Sequence, residues 1–317
     1  YGRPPAGPRE LHGFIAKSTS HPRTSVAGYD LTFSPVKSVS ALWAVADPVL
    51  AGQIRAAHEA AVADALAFIE NRVLHTRQGH EGARQVDTRG LIAAVFVHRD
   101  SRAGDPDLHT HVAIANTVQA PDGAWLAIDG TTLYQAKVTI SETYTTSLQA
   151  RLVRLGLGFV EVGRDGKRPV YEIAGLDPRL LARWSQRRHH INARTADLVA
   201  RFEADHERPP TPSEKIDLQA QATLDTRQAK HQPRSEADQR TTWHTEAEQV
   251  LGPGGIHRLL DTVRTAPARP GPVVDDAWLT GTARSVLYRV ESERASWQEW
   301  HIRSEALRQV RAAALPH

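Results

Sequence analysis

Two runs rich in β-branched and apolar residues, GLIAAVFVHRD (90–100) and LHTHVAIANTV (108–118), flank the segment SRAGDPD. Glycine and proline in so short a connection reverse the chain, and runs of this composition favour strands. The simplest product is an antiparallel hairpin, and no other stretch limits the fold as much. Alternation along a strand puts His109 and His111 on one face, and the pairing brings His98 opposite them. A strand with one face to bury has little use for imidazoles at these positions, so that face is expected to be open and chemical.

The flanking segments predict an α+β protein with a mostly antiparallel sheet, long helices packed on it and a helical C-terminal extension. Tyr29 to Phe33 alternates like a strand, and Ser34-Pro35 reads as N-cap and first helical position of the helix that follows. Asp47-Pro48 starts a long amphipathic helix to about residue 73. A short strand is expected near Arg84 to Val86, and AWLAID reads as another. Residues 130–155 form a helix whose buried stripe holds Tyr134, Val138, Tyr144, Leu148, Leu152 and Leu155. GFVEVGRDGKRPVYEIAG is a further hairpin, and Asp177-Pro178 opens one helix through His206. Thr211 to Glu214 is a capping box, a helix is expected over 235–251, and TAPARPGPVVDD is a Pro-rich linker. The expected segments are an irregular start (1–25), an α+β core (26–205), a helical extension (206–264) and a linker with terminal helices (265–317).

Three neutral imidazoles converging from two strands suit a divalent cation, and three protein ligands leave coordination positions open, as at a catalytic metal. One ion is expected, among Mg, Mn, Zn and similar metals, three nitrogens suiting Zn, Ni, Co or Mn better than Mg. Asp30, an acid among apolar strand residues, is the candidate to accept an imidazole's second N–H. The turn acids Asp100, Asp105 and Asp107 are expected to be solvated. Arg183, Arg187 and Arg188, with His189, His190 and Arg194, fall on one helix and read equally as a solvated face or as phosphate contacts. Lys37 lies one turn into the first helix, whose N-terminus together with Ser34 offers a phosphate site.

Composition narrows the alternatives. The absence of cysteine excludes disulfides, thiolate zinc sites and cysteine nucleophiles, and fits a reducing cytosol. No apolar run of the length a membrane helix requires occurs, so no membrane insertion is expected. A net charge of +3 permits nucleic-acid binding without demanding it. There is no methionine, even at position 1, which points to a fragment with sequence missing upstream. No phosphate-binding loop of the Gly-x-x-x-x-Gly-Lys-Ser/Thr type appears, so ATP hydrolysis is not expected.

GYDLTFSPVKSVS followed by HRDSRAGDPDLHTHVAIAN resembles the relaxase domain of MobF-type (TrwC/TraI-like) conjugative relaxases, of the His-hydrophobic-His endonuclease superfamily. WLAIDGTTLYQAKVTISETYTTSLQARLVRLGLGF is similar to the segment that follows in actinobacterial members, and the resemblance spans residues 25–245. It implies a cytoplasmic enzyme that nicks one DNA strand at a transfer origin through a metal on three histidines and a tyrosine nucleophile, leaving a 5′-phosphotyrosine. Carried over, the metal ligands are His98, His109 and His111; Asp30 orients a histidine or accepts the tyrosine proton; and Arg102 and Lys230 are basic groups near the scissile phosphate. Single-stranded DNA, relaxosome proteins and secretion-coupling proteins are the implied partners.

One departure matters. The family's nucleophilic tyrosines precede the Asp-Leu-Thr-Phe motif by a longer stretch than the chain has before Asp30. None of Tyr1, Tyr29, Tyr134, Tyr144, Tyr171 and Tyr288 matches them. This sequence is therefore expected to bind metal and DNA without cleaving. A non-catalytic DNA-binding module derived from a relaxase is the main alternative. A small-molecule metalloenzyme is a third, and would need an enclosed apolar pocket.

Overall fold

The computed structural model describes residues 25–164, 167–229, 232–266 and 271–315. In chain order, β1 (Gly28–Phe33) leads to α1 (Lys37–Val45) and α2 (Pro48–Arg72). A ribbon of β2 (His75–Gln78) and β3 (Arg84–Asp87) precedes the hairpin strands β4 (Ala93–Asp100) and β5 (Pro106–Ala115). The short pair β6 (Val118–Gln119) and β7 (Trp125–Leu126) runs into α3 (Gly130–Arg154), and β8 (Phe159–Arg164) pairs with β9 (Lys167–Ile173). The rest is helical: α4 (Pro178–Arg183), α5 (Gln186–His206), α6 (Pro212–Asp225), α7 (Glu236–Leu251), α8 (Gly255–Thr265), α9 (Asp276–Glu293) and α10 (Glu299–Ala312). Every strand pair among the described residues is antiparallel, which makes the protein α+β.

The hairpin forms as its sequence directs. β5 is the middle strand of a sheet ordered β1-β5-β4, with His98 opposite His109 and Phe96 opposite His111. Its turn needs Gly104, which stands at φ +82°, where a side chain would be strained. Leu108, Thr110, Val112 and Ile114 point from β5 into the core, and the alternate residues face out. Beneath the sheet lies α1, buried from Ser38 to Val45. Two buried serines tie it to the strands: Ser40 accepts from Leu108 N (3.1 Å) and Ser38 from Ile173 N (2.8 Å). These bonds satisfy strand N–H groups that would otherwise be buried unpaired.

The later helices complete this core. Trp243 of α7 is fully buried, edge-on to Trp43 at 5.6 Å, and its indole N–H donates to Gly104 O in the hairpin turn (2.9 Å). Arg240 donates to Trp43 O (2.9 Å) and Ala46 O (3.1 Å), a cation placed on the orphan carbonyls of the α1 C-terminus. α10 lies along α3, where Glu142 pairs with Arg308 and Arg311, and Trp300 meets Phe68 edge-on. The capping box at Thr211 and Glu214 is formed.

Several local expectations fail for identifiable reasons. α1 begins at Lys37 with Val36 as its N-cap, not at Pro35 with Ser34 capping. Ser38 N–H instead donates to the Glu172 carboxylate (3.0 Å), which caps the helix from β9 and occupies the end that a phosphate would have needed. The long helix expected from Asp177 breaks at Trp184, whose buried indole donates to Glu246 (2.7 Å), so Arg183 lies on α4, apart from Arg187 and Arg188 on α5. On α3, Tyr144, Leu148 and Leu152 are buried as expected, but Tyr134 and Val138 are exposed because α10 covers a different face. Two turn acids are not solvated. Asp105 is buried, accepting from Gln186 N (3.0 Å) and Gln186 Nε2 (2.8 Å), and Asp100 accepts from Gln239 (2.7 Å). Residues 1–24 of the irregular start, Lys230 and residues 267–270 of the linker lie outside the described residues.

Candidate functional site

Directly opposed residues of antiparallel strands share a face. The register therefore lays the open face of the sheet out in rows. Asp30, Ala113 and Ala94 form one, Thr32, His111 and Phe96 the next, and His109 with His98 the third. The three imidazoles converge, with ring centroids 5.1 Å (His98–His109), 5.2 Å (His98–His111) and 5.3 Å (His109–His111) apart.

Their tautomers follow from their partners. His111 Nδ1 donates to the Asp30 carboxylate at 3.0 Å, and His109 Nδ1 donates to the Asp107 backbone carbonyl at 2.7 Å. Both partners can only accept, so Nδ1 carries the proton and Nε2 keeps its lone pair. Metal-bound histidines donate their other ring N–H to a carboxylate or carbonyl in the same way, which fixes the tautomer and the ring's orientation. Three imidazoles around one ion at N–metal distances of ~2.0–2.1 Å have centroids roughly 5 Å apart, as here. Among the described residues, no three or more His, Cys, Asp or Glu side chains already have their donor atoms gathered as a finished cage. What the structure shows is the convergence of the three rings at this spacing.

The histidines floor an open cleft of about 900 Å³. One wall is the sheet with Asp30, Thr32 and Phe96; the other carries Arg187 of α5, Thr223 and Leu224 of α6, and Arg227. Arg102, in the hairpin turn, stands at the cleft and donates to Gln228 O (2.8 Å), joining the two walls. The remaining basic candidates are elsewhere. Lys37 is turned under the hairpin and donates to Pro106 O (2.6 Å), with its pKa lowered by burial although Asp107 and Asp105 act to raise it. Arg183 is paired with Glu246 (2.7 Å), and Arg188 is exposed on α5 away from the cleft lining. Neither Lys37 nor Arg183 is presented as a phosphate contact.

Some residues of the site had no clear motif. His58 of α2 is wholly buried below the hairpin, linked by Nε2 to Thr110 Oγ1 (2.7 Å) and by Nδ1 to Tyr144 Oη (2.8 Å). Thr110 sits between the two β5 histidines and points the opposite way, so this chain of bonds pins the strand from beneath. Burial brings the His58 pKa down to about 4, and the ring is neutral. Thr32 and Phe96 follow from strand alternation once the register is known. Arg227, after α6, gave no local signal.

Each described tyrosine is placed away from the cleft lining. Tyr29 packs toward Gly130, Tyr144 bonds His58, Tyr171 bonds Glu161, and Tyr134 and Tyr288 are exposed on α3 and α9. No helix among the described residues is long and apolar enough to cross a membrane.

The chain has recognisable relatives. The multifunctional conjugation protein TraI of Escherichia coli is 32% identical over 216 residues, which is 64% of this chain but 11% of TraI, so the chain spans about a tenth of that relative. The conjugative relaxase TrwC in complex with oriT DNA, in a metal-free structure, superposes with a TM-score of 0.60 at 29% identity, covering 73% of this chain and 76% of TrwC. A copper-bound TrwC–oriT structure gives 0.59 at 28% identity, covering 74% of each chain. The TrwC relaxase profile matches residues 2–250. With this match covering most of the chain, the chain belongs to the TrwC relaxase family.

Proposed function

We propose that the cleft holds one divalent metal ion on His98, His109 and His111 and binds single-stranded DNA of a transfer origin, for strand cleavage and rejoining by tyrosine transesterification. The observation that carries this is the convergence of three imidazoles, two of them with Nε2 set as a ligand by Nδ1–H donors. A divalent ion there supplies Lewis-acid polarisation of a non-bridging phosphate oxygen.

The protein's own groups do the rest. Asp30 holds the His111 tautomer; with its carboxylate committed to that N–H it is an orienting group before it is a base. Arg102, Arg187 and Arg227 at the cleft supply cationic contacts for the phosphates on either side of the reacting one. In the reaction a tyrosine oxygen bonds to phosphorus as the 3′ oxygen leaves and takes up a proton. One phosphodiester replaces another, so rejoining is the reverse step. None of the described tyrosines lines the cleft, and the reading is that this chain binds DNA and metal without forming the covalent adduct, with Tyr1, outside the described residues, as the competing nucleophile. The open cleft supports DNA over a small molecule as substrate.

Calorimetric titration with Mn or Zn tests the metal. One site is expected, abolished by His109→Ala with His111→Ala and weakened about 10- to 100-fold by Asp30→Asn. An undiminished site in the double variant overturns the assignment. A labelled suicide oligonucleotide tests the chemistry: binding without a covalent adduct is expected, and an adduct lost in Tyr1→Phe defeats that part.

A further inference from the structure

The edge strand β4 is exposed on both faces from Ala93 to His98, and on the histidine face its one aromatic residue is Phe96. Phe96 lies on β4 opposite His111, yet its side chain is 53% exposed in a cleft that also exposes Leu224 of α6, at 67%. An aromatic ring of this size normally contributes to a core. Its neighbours shape a slot. In the next row stand Ala94 and Ala113, which offer only methyl groups and leave a shallow floor beside the ring. On its other side come the imidazoles, His98 being two residues along the strand, about 6.7 Å.

We infer that Phe96 is a base-stacking platform, placing the nucleobase of the nucleotide at or next to the phosphate gripped by the histidines. The inference rests on the single-stranded DNA reading of the cleft and adds its positioning residue. Base over aromatic is the usual sequence-tolerant contact of single-strand binders, paired with a cationic track for the backbone. Both halves are present: Phe96 and the alanine floor take the flat, apolar base, and Arg102, Arg187 and Arg227 take the phosphates. Three carboxylates share the lining: Asp30 is bonded to His111, Asp107 lies 3.7 Å from His109 Nδ1, and Asp100 is bonded to Gln239 and, more distantly, paired with Arg234, while Arg187 and Arg227 come from the helical side of the cleft. An apolar peptide segment would match the ring but waste the cations; a strand of nucleotides matches both. Leu224, from α6, is an exposed apolar side chain lining the same cleft.

Photo-crosslinking tests this without knowledge of the target sequence. Residues 1–317 are irradiated with a pool of random-sequence single-stranded 20-mers carrying 5-iododeoxyuridine, at low salt, and adducts are mapped by mass spectrometry. The expected adduct is at Phe96. Phe96→Ala should lose it and weaken binding of the pool about 5- to 100-fold, while Phe96→Trp restores binding and metal affinity stays unchanged in both. Because the side chain is exposed, circular dichroism and melting should match the parent. If the parent binds the pool and Phe96→Ala binds equally well, with adducts elsewhere, the platform is wrong and the DNA cleft stands. If the parent binds no single-stranded DNA, the cleft reading fails and this one with it. A fall in melting temperature in Phe96→Ala without loss of DNA binding assigns the ring to a protein contact and also overturns it.

Discussion

His58 shows how much a single buried side chain can govern. It has no exposure, and each ring nitrogen meets one hydroxyl, so it bridges α2 and α3 to the strand that bears two of the converging imidazoles. Burial holds its pKa at about 4 in the folded chain, below the ordinary 6.5 of an exposed imidazole. The unfolded state therefore binds the extra proton first. Its stabilising contribution is complete above pH 6.5 and is lost as pH falls toward 4. Urea midpoints between pH 7.5 and 4.5 should show the stability advantage of the parent over His58→Gln shrinking by roughly 2–3 kcal/mol. A pH-independent difference would show that the ring is not neutral and buried in solution. Histidines differ in legibility for the same reason. His98, His109 and His111 declare themselves by strand period, whereas His58 falls on a helix stripe, where only the tertiary fold tells a core histidine from a surface one.

At the scale of elements, the hairpin and the helices over it were readable because their signals are local: alternation, turn residues, Asp-Pro starts, the capping box. What was not readable is which distant group finishes each element. Ser34 looks like the cap of α1, but Glu172 from β9 does that work. Asp105 looks like a solvated turn acid, but Gln186, 81 residues on, covers it. The helix through residue 184 breaks because Trp184 must reach Glu246. Trp243 is the strongest of these long-range contacts. It packs on Trp43 of α1 and also holds Gly104 of the hairpin turn. Trp243→Ala should cost about 3–5 kcal/mol, read as a large drop in melting temperature. If the turn holds the histidines in place, metal affinity at a temperature where the variant is still folded should fall as well.

For the molecule as a whole the net charge is +3, and the cleft lining sets Arg102, Arg187 and Arg227 against Asp30, Asp100 and Asp107, so its hold on phosphates rests on the three guanidinium groups themselves and not on a local excess of positive charge. Single-strand affinity should therefore fall with salt, log K against log salt having a slope near −2 if about three phosphates are neutralised. Arg187→Ala should make that slope shallower by about 0.7, and Arg183→Ala, already paired with Glu246, should leave it unchanged. A flat profile would remove the cationic track.

The late arrival of α7 has a consequence for how the protein is made. Trp243 and Arg240 close the floor under α1 and the hairpin, yet the ribosome delivers them well after His98, His109 and His111. At a synthesis speed of about 5–20 residues per second, that lag is on the order of ten seconds. For that interval the imidazoles of the nascent chain are displayed on an unsupported hairpin. On the proposed metal reading, whichever cation the translating cell offers then has the first opportunity to be captured, before the finished fold can select.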